Sequence, residues 1–209
     1  MPDQVSTLYS YVLVTDSGLA PNPYHGYCTL AVCKPKIRAK AQAGDIVIGT
    51  GSAACHVQRG DQMIYAMWVT EVLTTAQYWS DPRFNAKKPN KSSSIHLVGD
   101  NIYEPLDNCK WNQLQSLHFA HDMKRDLSEK FVLVSDKFVY FGSDSPTLPQ
   151  NFVDGSECLI KRGPGHRTES REEVIAKFVD WIEELGGWSG VPGNPSNGVQ
   201  DKLSVTIGC

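Results

Sequence analysis

His118, His121 and Asp122 fall at helical spacing if residues 113–124 form a helix. His118 and Asp122 would then share one face, an arrangement in which a carboxylate orients an imidazole as general base. An exposed polar helix face has the same spacing. Upstream, Asp16, Asn22, His25, Lys34 and Arg38 gather in one loop and the short helix after it. Asp16 could accept a hydrogen bond from a base or a ribose, and Lys34 with Arg38, four apart, could bind a phosphate. Turn chemistry accounts equally well for Asp16 and Asn22, and solvated surface for Lys34 and Arg38. Tyr24 and Tyr27 stand in a loop that cannot easily bury them, so one of them could stack on a base. The remaining aromatics, Trp79 among them, suit a core.

Familiar catalytic signatures are missing: the sequence holds no GxSxG, HExxH, P-loop or strand–GxGxxG–helix. Gly49-Thr50-Gly51 lacks a third glycine and a following helix, and reads as a close approach of backbones. His25, Cys28 and Cys33 have soft-ligand character, but the two cysteines bracket an expected strand and structural zinc prefers a tighter Cys-x₂₋₄-Cys turn. They read as buried free thiols, and no metal or other cofactor is implied.

The 209 residues carry 20 Lys+Arg against 23 Asp+Glu, a net charge of −3, so any nucleic-acid contact needs a local basic patch rather than a charged surface at large. Six cysteines are scattered without a dense framework, and the N-terminal residues lack a signal-peptide pattern, as expected of reduced thiols in a cytoplasmic protein. No apolar run reaches the ~20 residues of a membrane span, so a soluble protein is expected.

These residues must be positioned by short elements. Strands are expected at 8–15, 28–32, 46–48 and 63–73, the last nearly continuous in apolar residues as a central strand should be. Short helices follow Pro35 over 36–42 and begin at 74–79. Residues 95–98 and 102–103 flank a tight turn at Gly99-Asp100-Asn101, and 131–134 with 138–141 read as a hairpin across Ser135-Asp136-Lys137. Ser170 with Glu173 forms a capping box for a helix over 170–185, whose stripe is Val174, Phe178, Trp181, Ile182 and Leu185. The expected fold is α+β, a small, curved, barrel-like mixed sheet with short helices outside and one C-terminal amphipathic helix. Residues 1–188 form one domain, and 189–209, rich in Gly, Pro, Asn and Ser, form a flexible tail that can add an edge strand at 203–207.

Two resemblances narrow the function. Ala43-Gly44-Asp45-Ile46-Val47-Ile48-Gly49-Thr50-Gly51-Ser52, the strand at 64–72 and Tyr78-Trp79-Ser80-Asp81 resemble the PUA-like superfamily, which includes EVE, ASCH and YTH domains. The loop from Asp16 to Gly26, Cys28-Thr29-Leu30-Ala31, Cys33-Lys34-Pro35, Ile37-Arg38, Gly99-Asp100-Asn101-Ile102-Tyr103, Ser116-x-His118 and Phe138-x-Tyr140-Phe141-Gly142 resemble the nucleotide modification associated domain 2 family over about residues 8–165. That family has been proposed from gene context, in phages and bacteria, to act with nucleotide- or DNA-modifying systems. The resemblance implies that Asp16, Asn22, His25, Cys28, Lys34, Arg38, Asp100, Asn101 and His118 are motif positions.

The expected function is binding of a nucleotide or a single flipped or modified base, with nucleic acid as a further partner. Asn22, Asp100 and Asn101 would read polar edges, Tyr24 or Trp79 would stack, and Lys34 and Arg38 would hold phosphate. The alternative is an enzyme acting on a nucleotide or modified base, with His25 or His118 as general base and Asp100 or Asp16 as its orienting carboxylate. A non-catalytic interaction scaffold is the third reading.

Overall fold

The computed structural model describes residues 7–53, 59–191 and 193–196. In chain order its strands and helices are β1 (Leu8–Leu13), β2 (Cys28–Leu30), α1 (Pro35–Arg38), β3 (Ile46–Gly51), β4 (Met63–Trp68), β5 (Glu71–Thr74), α2 (Thr75–Ser80), α3 (Ser94–Leu97), β6 (Tyr103–Pro105), β7 (Trp111–Gln113), α4 (Met123–Asp126), β8 (Phe131–Ser135), β9 (Lys137–Tyr140), α5 (Gln150–Val153), β10 (His166–Glu169) and α6 (Glu172–Glu184). This is a mixed α+β chain. Its strands form sheets of five (β10-β1-β3-β4-β9), three (β2-β8-β5) and two (β6-β7), which do not close into a barrel among the described residues.

The five-stranded sheet is covered on both faces, which explains its continuous apolar runs. Leu8, Ile46, Ile48, Ala66 and Trp68 face α5 and α6, where Phe152, Val174, Ile175, Phe178 and Ile182 complete one core. Tyr9, Tyr11, Val47 and Met67 point the other way, onto Leu30, Ile37 and Leu133. Each fully buried side chain of this size stabilises by about 2 kcal/mol. The glycine run in β3 is a close approach: a Cβ on Gly49 would lie 2.1 Å from Leu13, and one on Gly51 2.3 Å from the Arg59 carbonyl.

Four expectations change. The apolar run at 63–73 is two strands in different sheets, broken at Val69-Thr70, where β4 ends and β5 begins. The expected hairpin does not pair with itself. β8 pairs with β2 and β5 while β9 pairs with β4, so Asp136 is a corner between sheets, stitched to the other corner by Thr70 N–H donating to the Val134 carbonyl at 2.9 Å. Residues 113–124 form no single helix: β7 ends at Gln113 and a 3₁₀ turn (Ala120–Asp122) precedes α4. Finally, Ser170 does not cap α6. Arg171 is the N-cap residue, and buried Glu169 accepts from the amides of Ser170 and Arg171 at 3.0 and 2.9 Å.

Beyond α6, Gly190 docks on β9. Its amide donates to the Phe138 carbonyl and its carbonyl accepts from the Tyr140 amide, both at 2.9 Å. The strand expected at 203–207 lies outside the described residues.

Candidate active site

The turn that carries Cys33 follows from Pro35. Proline suits the first helical position, because its fixed φ is pre-set and its missing N–H would be unpaired there anyway. The chain must therefore reverse sharply between β2 and Pro35, and Cys33 (φ 60°) and Lys34 (φ 41°) both take left-handed backbone. For non-glycine residues this conformation costs roughly 1–2 kcal/mol each, so the surroundings must hold the turn. Two groups do so. The Cys33 amide donates to Asp126 Oδ1 at 2.9 Å. Arg38, one turn into α1, donates from Nε to the Cys33 carbonyl at 2.8 Å and from Nη2 to the Asp126 carbonyl.

His118 arrives on the connection after β7. The Ser116 hydroxyl accepts from its amide at 3.1 Å and Gln113 Nε2 donates to its carbonyl at 2.9 Å. Its ring lies between two partners. Nε2 is 3.5 Å from Cys33 Sγ, and Nδ1 is 2.6 Å from Asp126 Oδ2. The His118 side chain is 9% exposed and that of Asp126 is fully buried, while Cys33 is partly exposed. Asp126 is further held by the Tyr103 hydroxyl at 2.9 Å. Burial alone would lower the imidazole's pKa, but its bonds to Asp126 and Cys33 outweigh burial and push it up to about 9. Burial likewise pushes the Asp126 carboxyl up, and His118, the Cys33 amide and Tyr103 more than reverse it, leaving it below its ordinary value.

Thiol, imidazole and carboxylate thus form a line in which the base touches the nucleophile and the carboxylate fixes the base. At pH 7 a protonated His118 at 3.5 Å and Arg125, with Nη2 4.0 Å from Sγ, would stabilise negative charge developing on the sulfur. The three donor atoms also lie within 4.8 Å of one another. Cysteine and aspartate, however, address opposite nitrogens of one ring, so all three contacts as they stand cannot converge on a single ion.

A family model, nucleotide modification associated domain 2, matches residues 5–201. The chain belongs to that family. The match runs past residue 165 to include α6 and part of the segment beyond it. No curated protein and no solved structure matches the chain. The family's name ties nucleotide modification associated domain 2 chains to nucleotide modification. Among the described residues no helix is long and apolar enough to cross a membrane.

The motif positions of this nucleotide modification associated domain 2 chain separate into three places. Lys34, Arg38 and His118 meet at Cys33. Arg38, expected on phosphate, is 1% exposed and donates to the carbonyls of Cys33, Asp126, Glu129 and Phe131. His118 pairs with Asp126 and not with Asp122, because a 3₁₀ turn (Ala120–Asp122) precedes α4. Asp122 instead accepts from the Phe119 amide at 3.0 Å and pairs with Arg125 at 2.8 Å.

Asn22, Asp100 and Asn101 form a second, buried centre. Asn22 Nδ2 donates to the carbonyls of Gly18 and Val98, and its Oδ1 accepts from Lys87 Nζ at 2.6 Å. Asp100 accepts from Tyr78 at 2.6 Å and Thr29 at 2.7 Å, and burial raises its pKa despite both bonds. Asn101 Nδ2 donates to the Tyr78 and Phe84 carbonyls. Elsewhere, Asp16 accepts from the Tyr140 hydroxyl and from Ser196 N and Oγ at 2.9 and 2.8 Å. The Tyr24 ring packs on Gly18, and burial with the Asp16 charge pushes its pKa up to about 12. The His25 ring meets His96 at a 45° tilt, centroids 5.2 Å apart, and Trp79 lies under Lys88 at 4.1 Å.

Cys33 and Asp126 were missed as functional residues. Cys33 was weighed as a soft metal ligand and stood in the Cys33-Lys34-Pro35 motif, but not as a nucleophile, and Asp126 carried no signal.

Proposed function

We propose that this chain is a cysteine-dependent acyl-transfer enzyme working in nucleotide modification. The observation that carries the proposal is the Cys33–His118–Asp126 line, with the thiol on a strained turn at a cavity wall. Cys33 Sγ attacks the carbonyl carbon of an amide or ester carried by a nucleotide or modified base. The thiol proton rests on His118 Nε2, so the S–C bond forms from a thiolate paired with the imidazolium, and Nε2–H gives that proton to the leaving amine or alcohol as its bond to the carbonyl carbon breaks. Water or a second amine then attacks the thioester carbonyl and gives its proton to His118 Nε2 as the C–S bond breaks, which restores the thiolate–imidazolium pair. Asp126 holds the ring tautomer throughout.

Asn22, Asp100 and Asn101 bond within the fold, which supports an enzyme over a module that reads a base edge with those groups. Limited treatment with iodoacetamide followed by peptide mass analysis tests the reading. Among the described residues Cys109 is the exposed thiol and Cys33 only partly so. A structural Cys33 would react more slowly than Cys109, whereas an activated one reacts at least tenfold faster, and His118→Ala removes that advantage. Faster labelling at Cys109 in the unmodified sequence overturns the proposal.

A further inference from the structure

Three cavities meet at the Cys33–Lys34 turn. The smallest, about 210 Å³, is bounded by Tyr11, Leu13, Leu19 and Ala20, with Cys33 and His118 in its wall. Two larger cavities share residues with it. One, of about 410 Å³, is lined by Cys33 with Lys34, Lys36, Arg125 and His166. The other, of about 510 Å³, takes Lys34 with Lys161 and Arg162 from the turn leading into β10. Among the described residues no aspartate or glutamate lines any of the three, in a chain of net charge −3. Lys34 borders all of them, fixed with Nζ 4.3 Å over the Tyr11 ring and donating to the Val12 carbonyl at 3.2 Å. Arg162 has an ion pair with Asp154 at 3.4 Å, but both side chains are more than 60% exposed, so that pair competes weakly with an incoming anion.

A small, mainly apolar chamber beside Cys33, adjoined by two basic cavities that share Lys34 and Gly165, suits one reacting group with more than one phosphate near it. A free nucleotide carries its phosphates as one linked group and would occupy one of the two basic cavities. We infer that the group processed at Cys33 is presented by a nucleotide within a single-stranded nucleic acid, its neighbouring phosphates seated on Lys36/Arg125 and on Lys161/Arg162. The inference takes its location of chemistry from the thiol reading, while the binding itself depends on different residues. Recognition of a strand through phosphates is largely electrostatic and therefore salt-dependent.

The test is fluorescence anisotropy of a labelled 12-nucleotide single strand over a series of salt concentrations, using the whole chain. Competitors are the same sequence as a duplex and deoxynucleoside mono- and triphosphates. The strand should bind, should slow iodoacetamide labelling of Cys33, and should outcompete each mononucleotide by about a hundredfold. Each lost phosphate contact should flatten the log K against log salt slope by about 0.7. Lys36→Ala should thus remove about 0.7, and Lys161→Ala with Arg162→Ala about 1.4. Mononucleotides or duplex competing as well as the strand, unchanged slopes in both variants, or binding that leaves Cys33 unprotected would overturn the inference. Cys33→Ser should bind the strand normally. If the strand binds and covers Cys33 while the thiol shows no enhanced reactivity, the catalytic reading fails and the strand-binding site stands.

Discussion

Arg38 Nε donates to the carbonyl of Cys33 at 2.8 Å, and the same guanidinium reaches the Asp126 carbonyl through Nη2. A single buried cation therefore ties the turn that carries the thiol to the helix that carries the carboxylate. Cys33 lies 93 residues from Asp126, and no local propensity would bring them together.

Removing that tie should loosen the site and the fold together. Arg38→Ala leaves four carbonyls without a charged donor, and we expect a loss of roughly 3–5 kcal/mol. For a chain of this size that corresponds to a fall in melting temperature of about 10 °C. Arg38→Lys should recover part of the stability, but one ammonium cannot span both carbonyls, so the Cys33 labelling advantage over Cys109 should stay lost. If Arg38→Lys restores labelling in full, the guanidinium is needed only for its charge and not for positioning.

The imidazole gives a pH signature. His118 titrates at about 9 in the folded chain against an ordinary 6.5. Its contribution to stability is complete below pH 6.5 and disappears as pH rises through 9. Lys87 works in the opposite sense: burial holds it down to about 8, so it adds stability from pH 8 upward. The clean window is therefore pH 6.5 to 8, where stability from denaturant unfolding should fall by up to about 1.5 kcal/mol, and His118→Gln should flatten the curve. Asp126 acts at the acid end, where its stabilisation is lost as pH falls through its lowered folded value. Imidazole NMR of Asp126→Asn should place the His118 titration well below 9. A titration still near 9 would mean that the carboxylate does not hold the proton.

The sequence made the scaffold largely readable and the site only partly so. β1 and β3 announce themselves through runs of apolar, β-branched and aromatic residues, because both faces of their sheet are covered, and α6 through a helical stripe that buries one face. The corners at Thr70 and Asp136 were hidden, since a strand that changes sheets has the same local composition as one that continues or turns back. His118 was legible as a base, but its partner was not: the 3₁₀ turn at Ala120–Asp122 shifts the phase and presents Asp126, eight residues away, in place of Asp122. Arg38 was read as a phosphate ligand or as solvated surface, whereas its donors close on carbonyls 88 to 93 residues distant, an arrangement that only tertiary contacts create.

The centre around Lys87 should behave as a lock, separable from the chemistry. Its ammonium donates to the Asn22 carbonyl at 3.0 Å, to Asn22 Oδ1 at 2.6 Å and to the Tyr27 carbonyl at 2.9 Å, joining the loop before β2 to the 3₁₀ helix Pro82–Lys87. Behind it Gly99 is pressed so close that an added Cβ would sit 2.3 Å from the Lys87 carbonyl. Lys87→Met removes a charged donor from three acceptors, of which the Asn22 carbonyl keeps the Thr29 amide at 2.9 Å and Asn22 Oδ1 the Tyr24 amide at 3.4 Å, and should cost about 2 kcal/mol. Gly99→Ala should also destabilise, because the atom in its way is backbone and cannot step aside. Neither change touches the Cys33–His118–Asp126 line, so at a temperature where both variants remain folded the ratio of Cys33 to Cys109 labelling should match that of the unaltered chain. A folded Lys87→Met protein with slowed Cys33 labelling would show instead that the loop lock sets the geometry of the nucleophile, and the two centres would have to be treated as one.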